Sequence, residues 1–173
     1  MMNRFDYIEQ SSAYQSGLTC LSIICRHYGR YINLITTSTQ EKSPEESLQQ
    51  VSNKAGELGL SSIIGHLTVA KLSRITLPCI LYWDNEYYVV LRKIKFNTYY
   101  VADPTKGLIK YSQAEVKQHC VNSHIANEEK VVAVFIKPTD EFYKQADAQN
   151  QLIKENSIWR YIKHLLSGTN RIL

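Results

Sequence analysis

At 173 residues, with 44% apolar and 21% charged side chains, the chain has the composition of one globular domain with its own core, which excludes intrinsic disorder. Lys and Arg number 20 against 16 Asp and Glu; a net charge of +4 is too small to argue for nucleic acid as a partner. The longest apolar stretches are strand-length, such as 131–136, and the opening MMNRFDYIEQ carries no signal-peptide core, so the chain reads as soluble and not exported.

Residues 17–28 predict a helix that is apolar almost all round (Leu18, Cys20, Leu21, Ile23, Ile24, Cys25), hence a central, buried one. Ser16 stands before it in the N-cap position and Gly29 closes it. A second helix spans 44–58. Ser43 is its cap, Pro44 its first residue and Glu45–Glu46 its acidic first turn, while Leu48, Val51, Ala55 and Leu58 repeat at helical spacing before Gly59. This helix is amphipathic.

The pattern then turns to β. Strands are predicted over 61–67, 78–83, 86–94, 97–102, 107–112 and 130–138, with a single helical turn near 70–75 and a short helix over 112–120. Asp84–Asn85 and Lys95–Asn97 supply turns, and Pro138 ends the last strand. Helices first and adjacent strands later, joined by short turns, argue α+β with helices packed on a mainly antiparallel sheet. Residues 1–138 form this domain, 139–156 read as a polar linker, and 157–173 as a basic amphipathic helix with Trp159. That last helix suits either a membrane surface or the domain itself.

Four cysteines (Cys20, Cys25, Cys79, Cys120) stand apart with no CxxC pair, so no metal site is expected. Cys20 and Cys25 read as small core residues. The 12 Tyr against 4 Phe fit either strand positions and half-buried surfaces, the plainer reading, or a binding surface.

The segment 10–29, QSSAYQSGLTCLSIICRHYG, resembles the signature of the bacteriocin-processing cysteine peptidases, the papain-like N-terminal domains of peptidase-containing ABC exporters. Gln10, Gly17, Cys20, Leu21, Tyr28 and Gly29 match the pattern. Residues 77–91 (LPCILYWDNEYYVVL), 101–112 (VADPTKGLIKYS) and 137–145 (KPTDEFYKQ) resemble further family segments in the right order. The resemblance implies a papain-like fold. It puts Ser16 where the family has its nucleophilic Cys and Tyr87 where it has the general-base His. Asp103 stands at the orienting Asp, and Gln10 where a side-chain amide completes the oxyanion hole. It further implies that Tyr87 and Asp103 lie on neighbouring strands within side-chain reach of the Ser16 end of the helix.

The departures carry the chemistry. A thiol at a helix N-terminus beside an imidazole becomes a thiolate near neutral pH. A serine hydroxyl instead needs an adjacent base to take its proton. A phenol, with an ordinary pKa of about 10, is not that base. The pair Ser16 and Tyr87 therefore points to a domain without peptidase activity, with Asp103 and Gln10 retained. Each residue has a plainer reading too: helix cap for Ser16, packed strand aromatic for Tyr87 on a face shared with Val89 and Leu91, turn residue for Asp103, surface for Gln10.

The expected function is a non-catalytic module that binds or positions a peptide or protein cargo, with Tyr14, Tyr87 and Tyr88 lining an extended-peptide groove. The alternatives are an active leader peptidase cutting after a double-glycine motif, and a purely structural or regulatory transporter domain. No GxxxxGK[ST] loop occurs, so no cofactor is expected in this chain; ATP and Mg would belong to a nucleotide-binding domain outside it. The implied partners are cargo, the transmembrane and ATPase parts of the exporter, and a membrane surface through 157–173. The implied place is the cytoplasmic face of the bacterial inner membrane, with the chain a fragment that ends before the first span.

Overall fold

The computed structural model describes residues 13–34, 43–120, 123–125 and 128–149. Helix α1 runs Ala13–His27. It ends in a Schellman turn, where the Gly29 N–H reaches Arg26 O at 3.1 Å, the Arg30 N–H reaches Cys25 O at 2.9 Å, and Gly29 takes φ +92°. Helix α2 runs Pro44–Glu57. Ser43 caps it as expected, and in a full capping box: its hydroxyl accepts from Glu46 N at 3.2 Å while the Glu46 carboxylate accepts from Ser43 N at 3.1 Å.

The strands are β1 (Leu60–Leu67), β2 (Cys79–Trp83), β3 (Tyr87–Lys95), β4 (Thr98–Asp103), β5 (Gly107–Ser112), β6 (Ser123–Ile125) and β7 (Glu128–Pro138). The expected turn is a 3₁₀ helix, Val69–Arg74, and the expected short helix is α3, Gln113–Cys120. Six strands run antiparallel in the order β1-β7-β2-β3-β4-β5, and the short β6, which the sequence reading missed, adds to β7. The fold is thus α+β, with helices on an antiparallel sheet.

Strand alternation splits the core in two. Ile80, Tyr82, Tyr88, Val90, Ala102, Val134 and Ile136 face α1 and α2, meeting Cys20, Leu21, Ile24, Val51 and Ala55. Cys79, Leu81, Trp83, Val89, Leu91, Val101 and Val131 face the other way, under the 3₁₀ turn and α3. The four cysteines are buried and none is in a disulfide. Burial pushes the Cys25 thiol up to about 11 and the Cys120 thiol up to about 12, so they behave as small core residues.

Two expectations need correction. Ser16 is not an N-cap: α1 already includes Ala13 and Gln15, both good helix formers, and Ser16 lies inside it. Within the expected polar linker, residues 140–149 form a further helix, α4. Its Phe142 is fully buried in the α1–α2 side of the core, and Ala146 is buried beside it. Arg30 ties α4 down by donating to Gln145 Oε1 at 2.9 Å and to Leu58 O at 3.0 Å, with its guanidinium 5.6 Å from the Phe142 ring centre. One large side chain in a polar stretch suffices to dock a helix when a pocket awaits it. The amphipathic helix expected over 157–173 lies outside the described residues.

Candidate functional site

The site forms where α1 crosses the start of β3. β3 pairs with β4 from Val90↔Ala102 onward. Two residues earlier, the backbone of Tyr88 meets α1 side chains. The Tyr88 N–H donates to Ser16 Oγ at 2.9 Å, and the Cys20 thiol donates to Tyr88 O at 3.2 Å. Ser16 and Cys20 are one helical turn apart on the same face. Both are fully buried. Burial pushes the Cys20 thiol well above its ordinary value, with the Asp103 charge adding to it, so Cys20 is a protonated donor and not a reactive thiolate. Gly17 makes the close approach possible: a Cβ there would stand 2.5 Å from Val51 Cγ2 and 3.4 Å from the Tyr88 ring.

Tyr87 opens β3 after the Asp84–Asn85 turn, whose φ values of 54° and 56° suit these two residue types. That turn is fixed from both sides. Tyr82 Oη donates to Asn85 O at 2.6 Å, and the Asp84 N–H donates to His119 O at 2.7 Å. His119 Nδ1 lies 2.6 Å from Asp84 Oδ1, and its ring stacks on Trp83 at 4.8 Å.

The Tyr87 hydroxyl donates to Asp103 Oδ2 at 2.9 Å and accepts from Lys106 Nζ at 3.3 Å. Lys106 Nζ is itself 4.0 Å from Asp103 Oδ2. The other carboxylate oxygen of Asp103 accepts from Thr105 N at 2.8 Å, Thr105 Oγ1 at 2.6 Å and Lys106 N at 3.1 Å. A buried carboxylate with this many donors is held firmly in one orientation. Burial pushes the Tyr87 phenol far above 10, and the Asp103 hydrogen bond and charge push it further. At neutral pH that phenol is a hydrogen-bond donor.

Among the described residues, Ser16 and Tyr88 meet where α1 crosses β3, and Tyr87 meets Asp103 beside them, with two differences from expectation. Ser16 meets the Tyr87–Tyr88 peptide group, while the Tyr87 ring packs with Val89 and Leu91 against the other side of the sheet, as strand alternation requires. Tyr88 does not line a groove: it is fully buried under α1, with its ring 5.1 Å from that of Tyr82. Gln10 and the side chain of Tyr14 lie outside the described residues. Sequence reasoning missed Thr105 and Lys106. The spacing Asp-x-Thr, which suits an Asx turn back to the carboxylate, was the available signal.

A buried helix set against a strand whose first residue is paired to an acid on the next strand fits the papain-like peptidase layout that the sequence resemblance implies. Residues 4–128 match the Peptidase C39 family, and the chain belongs to it. It is 31% identical over 118 residues to the Escherichia coli colicin V secretion/processing ATP-binding protein CvaB, covering 67% of this chain and 17% of that one. It is 33% identical over 106 residues to the probable microcin-H47 secretion/processing ATP-binding protein MchF of Escherichia coli, covering 60% and 15%. The chain thus spans about a sixth of the length of these relatives. Among solved structures, a double glycine motif protease from an AMS/PCAT transporter, in complex with the leader peptide, superposes with TM-score 0.57 at 23% identity, over 77% of this chain and 91% of that one. The peptidase domain of Streptococcus ComA, a bifunctional ABC transporter, gives TM-score 0.54 at 15% identity over 79% and 100%. At these identities the superpositions speak for the fold.

Proposed function

We propose that the chain is a non-catalytic peptidase-like domain of a bacterial ABC exporter that binds or positions a peptide or protein cargo at the cytoplasmic face of the inner membrane. The observation that carries this reading is the fate of the two reacting positions. The Ser16 hydroxyl is buried and accepts the Tyr88 N–H, and the Tyr87 phenol is engaged by Asp103 and Lys106. Attack by a serine needs a base to remove its proton, and a phenol that donates to a carboxylate takes none. Cys20, the neighbouring thiol, is no substitute, being buried and protonated. The kinship with secretion/processing proteins and the fold shared with a protease holding a leader peptide support a role toward peptides.

In this reading Tyr87, with Tyr14, borders the peptide groove, and 157–173 lies along the membrane surface. The transmembrane and ATPase parts, with ATP and Mg, belong to the longer exporter. The decisive experiment incubates the chain with a double-glycine leader peptide and follows it by mass spectrometry and calorimetry. Binding with the peptide left intact supports the proposal. A clean cut after Gly-Gly overturns it in favour of an active leader peptidase, and no binding by any cognate cargo leaves a structural role.

A further inference from the structure

The β3–β4 hairpin turns at Phe96 and Asn97, both with positive φ, 48° and 58°. This type I′ geometry is easiest for Asn, Asp and Gly and most strained for a bulky aromatic. The β2–β3 turn fills the same geometry with Asp84 and Asn85. Phe96 gains little from packing either. It is 90% exposed, the highest value among the described large apolar residues, and its ring has the Lys95 ammonium 5.3 Å from its centre. Neither backbone preference nor the core accounts for a phenylalanine there.

Its surroundings are cationic. The register Lys93↔Tyr100↔Lys110 sets two exposed lysines across three strands, with their ammonium groups 4.4 and 5.6 Å from the Tyr100 ring centre. Segment 92–100 adds Arg92 and Lys95 and contains no carboxylate; nor does β5. The nearest acid along the chain after β5, Glu115, is engaged by Ser112 N and Oγ at 2.7 Å.

We propose that this hairpin tip docks on an anionic phospholipid surface. Phe96 enters the boundary between headgroups and acyl chains while Lys93, Lys95 and Lys110 meet lipid phosphates. An exposed aromatic ring inside a collar of ammonium groups complements an anionic bilayer interface in both polarity and charge. The proposal rests on the exporter reading, which puts a bilayer beside the domain. Attachment by one ring and a few lysines is weak, reversible and salt-dependent.

The test uses the full chain and vesicles of equimolar phosphatidylglycerol and phosphatidylcholine, with pure phosphatidylcholine as the neutral arm. Phe96→Asn copies the residue type of the other turn, so it keeps the hairpin. It should lower partitioning to anionic vesicles roughly tenfold, the weight of one buried aromatic. Lys93→Gln with Lys95→Gln should lower it by about fivefold per charge and flatten the salt dependence. Phe96→Trp should show a blue shift and brominated-lipid quenching beyond those of the parent protein, which carries Trp83 and Trp159. Binding by Phe96→Asn equal to the parent, or no added signal from Phe96→Trp, overturns the proposal and assigns any membrane binding to 157–173. A parent that ignores anionic vesicles overturns it as well, leaving the tip to a protein partner. No cargo or exporter is present in this assay, so its failure is separate from failure of the cargo-binding reading.

Discussion

The hydroxyl of Ser16 accepts the backbone N–H of Tyr88 at 2.9 Å, so a helix side chain serves the hydrogen bonding of a strand. Ser16→Ala would leave that buried N–H without this acceptor, a loss of about 1–3 kcal/mol. Urea unfolding should give a lower midpoint with an unchanged slope. An unchanged midpoint would mean that the contact adds nothing to stability.

Restoring the reacting groups tests the same relationship chemically. Ser16→Cys alone should leave leader peptide intact, because no base accompanies the thiol. Ser16→Cys with Tyr87→His supplies both groups and keeps Asp103 to orient the imidazole. Weak cleavage at best is expected, since a misplacement of about 1 Å costs roughly 100-fold. Mass spectrometry reads the outcome, and vigorous cleavage by the single variant would show that another base acts.

The Tyr87 phenol titrates higher in the folded chain than its ordinary value of about 10. Above that value the unfolded chain gives up this proton first, so stability is fully present below about pH 10 and falls as pH rises toward the folded pKa. Tyr87→Phe should be less stable than the parent at neutral pH by about 1 kcal/mol. It should also lose less stability on further alkalinisation. Parallel pH profiles for the two proteins would remove the phenol as the source.

Phe142 decides whether α4 belongs to the folded unit. It is fully buried, and Gly59, at φ +78°, lets the α4 backbone come close: a Cβ there would stand 2.5 Å from Phe142 N. Phe142→Ala should cost about 3–5 kcal/mol and lower the melting temperature clearly. A surface-like cost of about half a kcal/mol or less would return 139–156 to a linker.

The hairpin tip makes a prediction about stability alone. Phe96→Asn relieves an aromatic residue from a left-handed conformation and gives up almost no buried area. A gain of about 0.5–1 kcal/mol is expected, or a melting temperature about 1–4 °C higher. A loss would show that Phe96 packs in solution.

Features set by neighbours along the chain were legible in the amino-acid order. Capping residues, helical spacing, turn pairs and strand alternation placed α2, the successive strands and the shared face of Tyr87, Val89 and Leu91, because each depends on residues a few positions apart. The ordered motifs likewise singled out Ser16, Tyr87 and Asp103. What covers each face, and which group answers which hydrogen bond, depended on the packing of remote segments. Tyr88 is buried rather than groove-lining because α1 crosses β3 at that point, and Ser16 serves the strand because β4 pairing starts only at Val90. Phe142 belongs to the core because Gly59 and Arg30 shape its seat from distant parts of the chain, while Phe96 stands in solvent at a hairpin tip. Apolar character fixes what a side chain gains from burial; the packing of remote segments fixes whether it is buried.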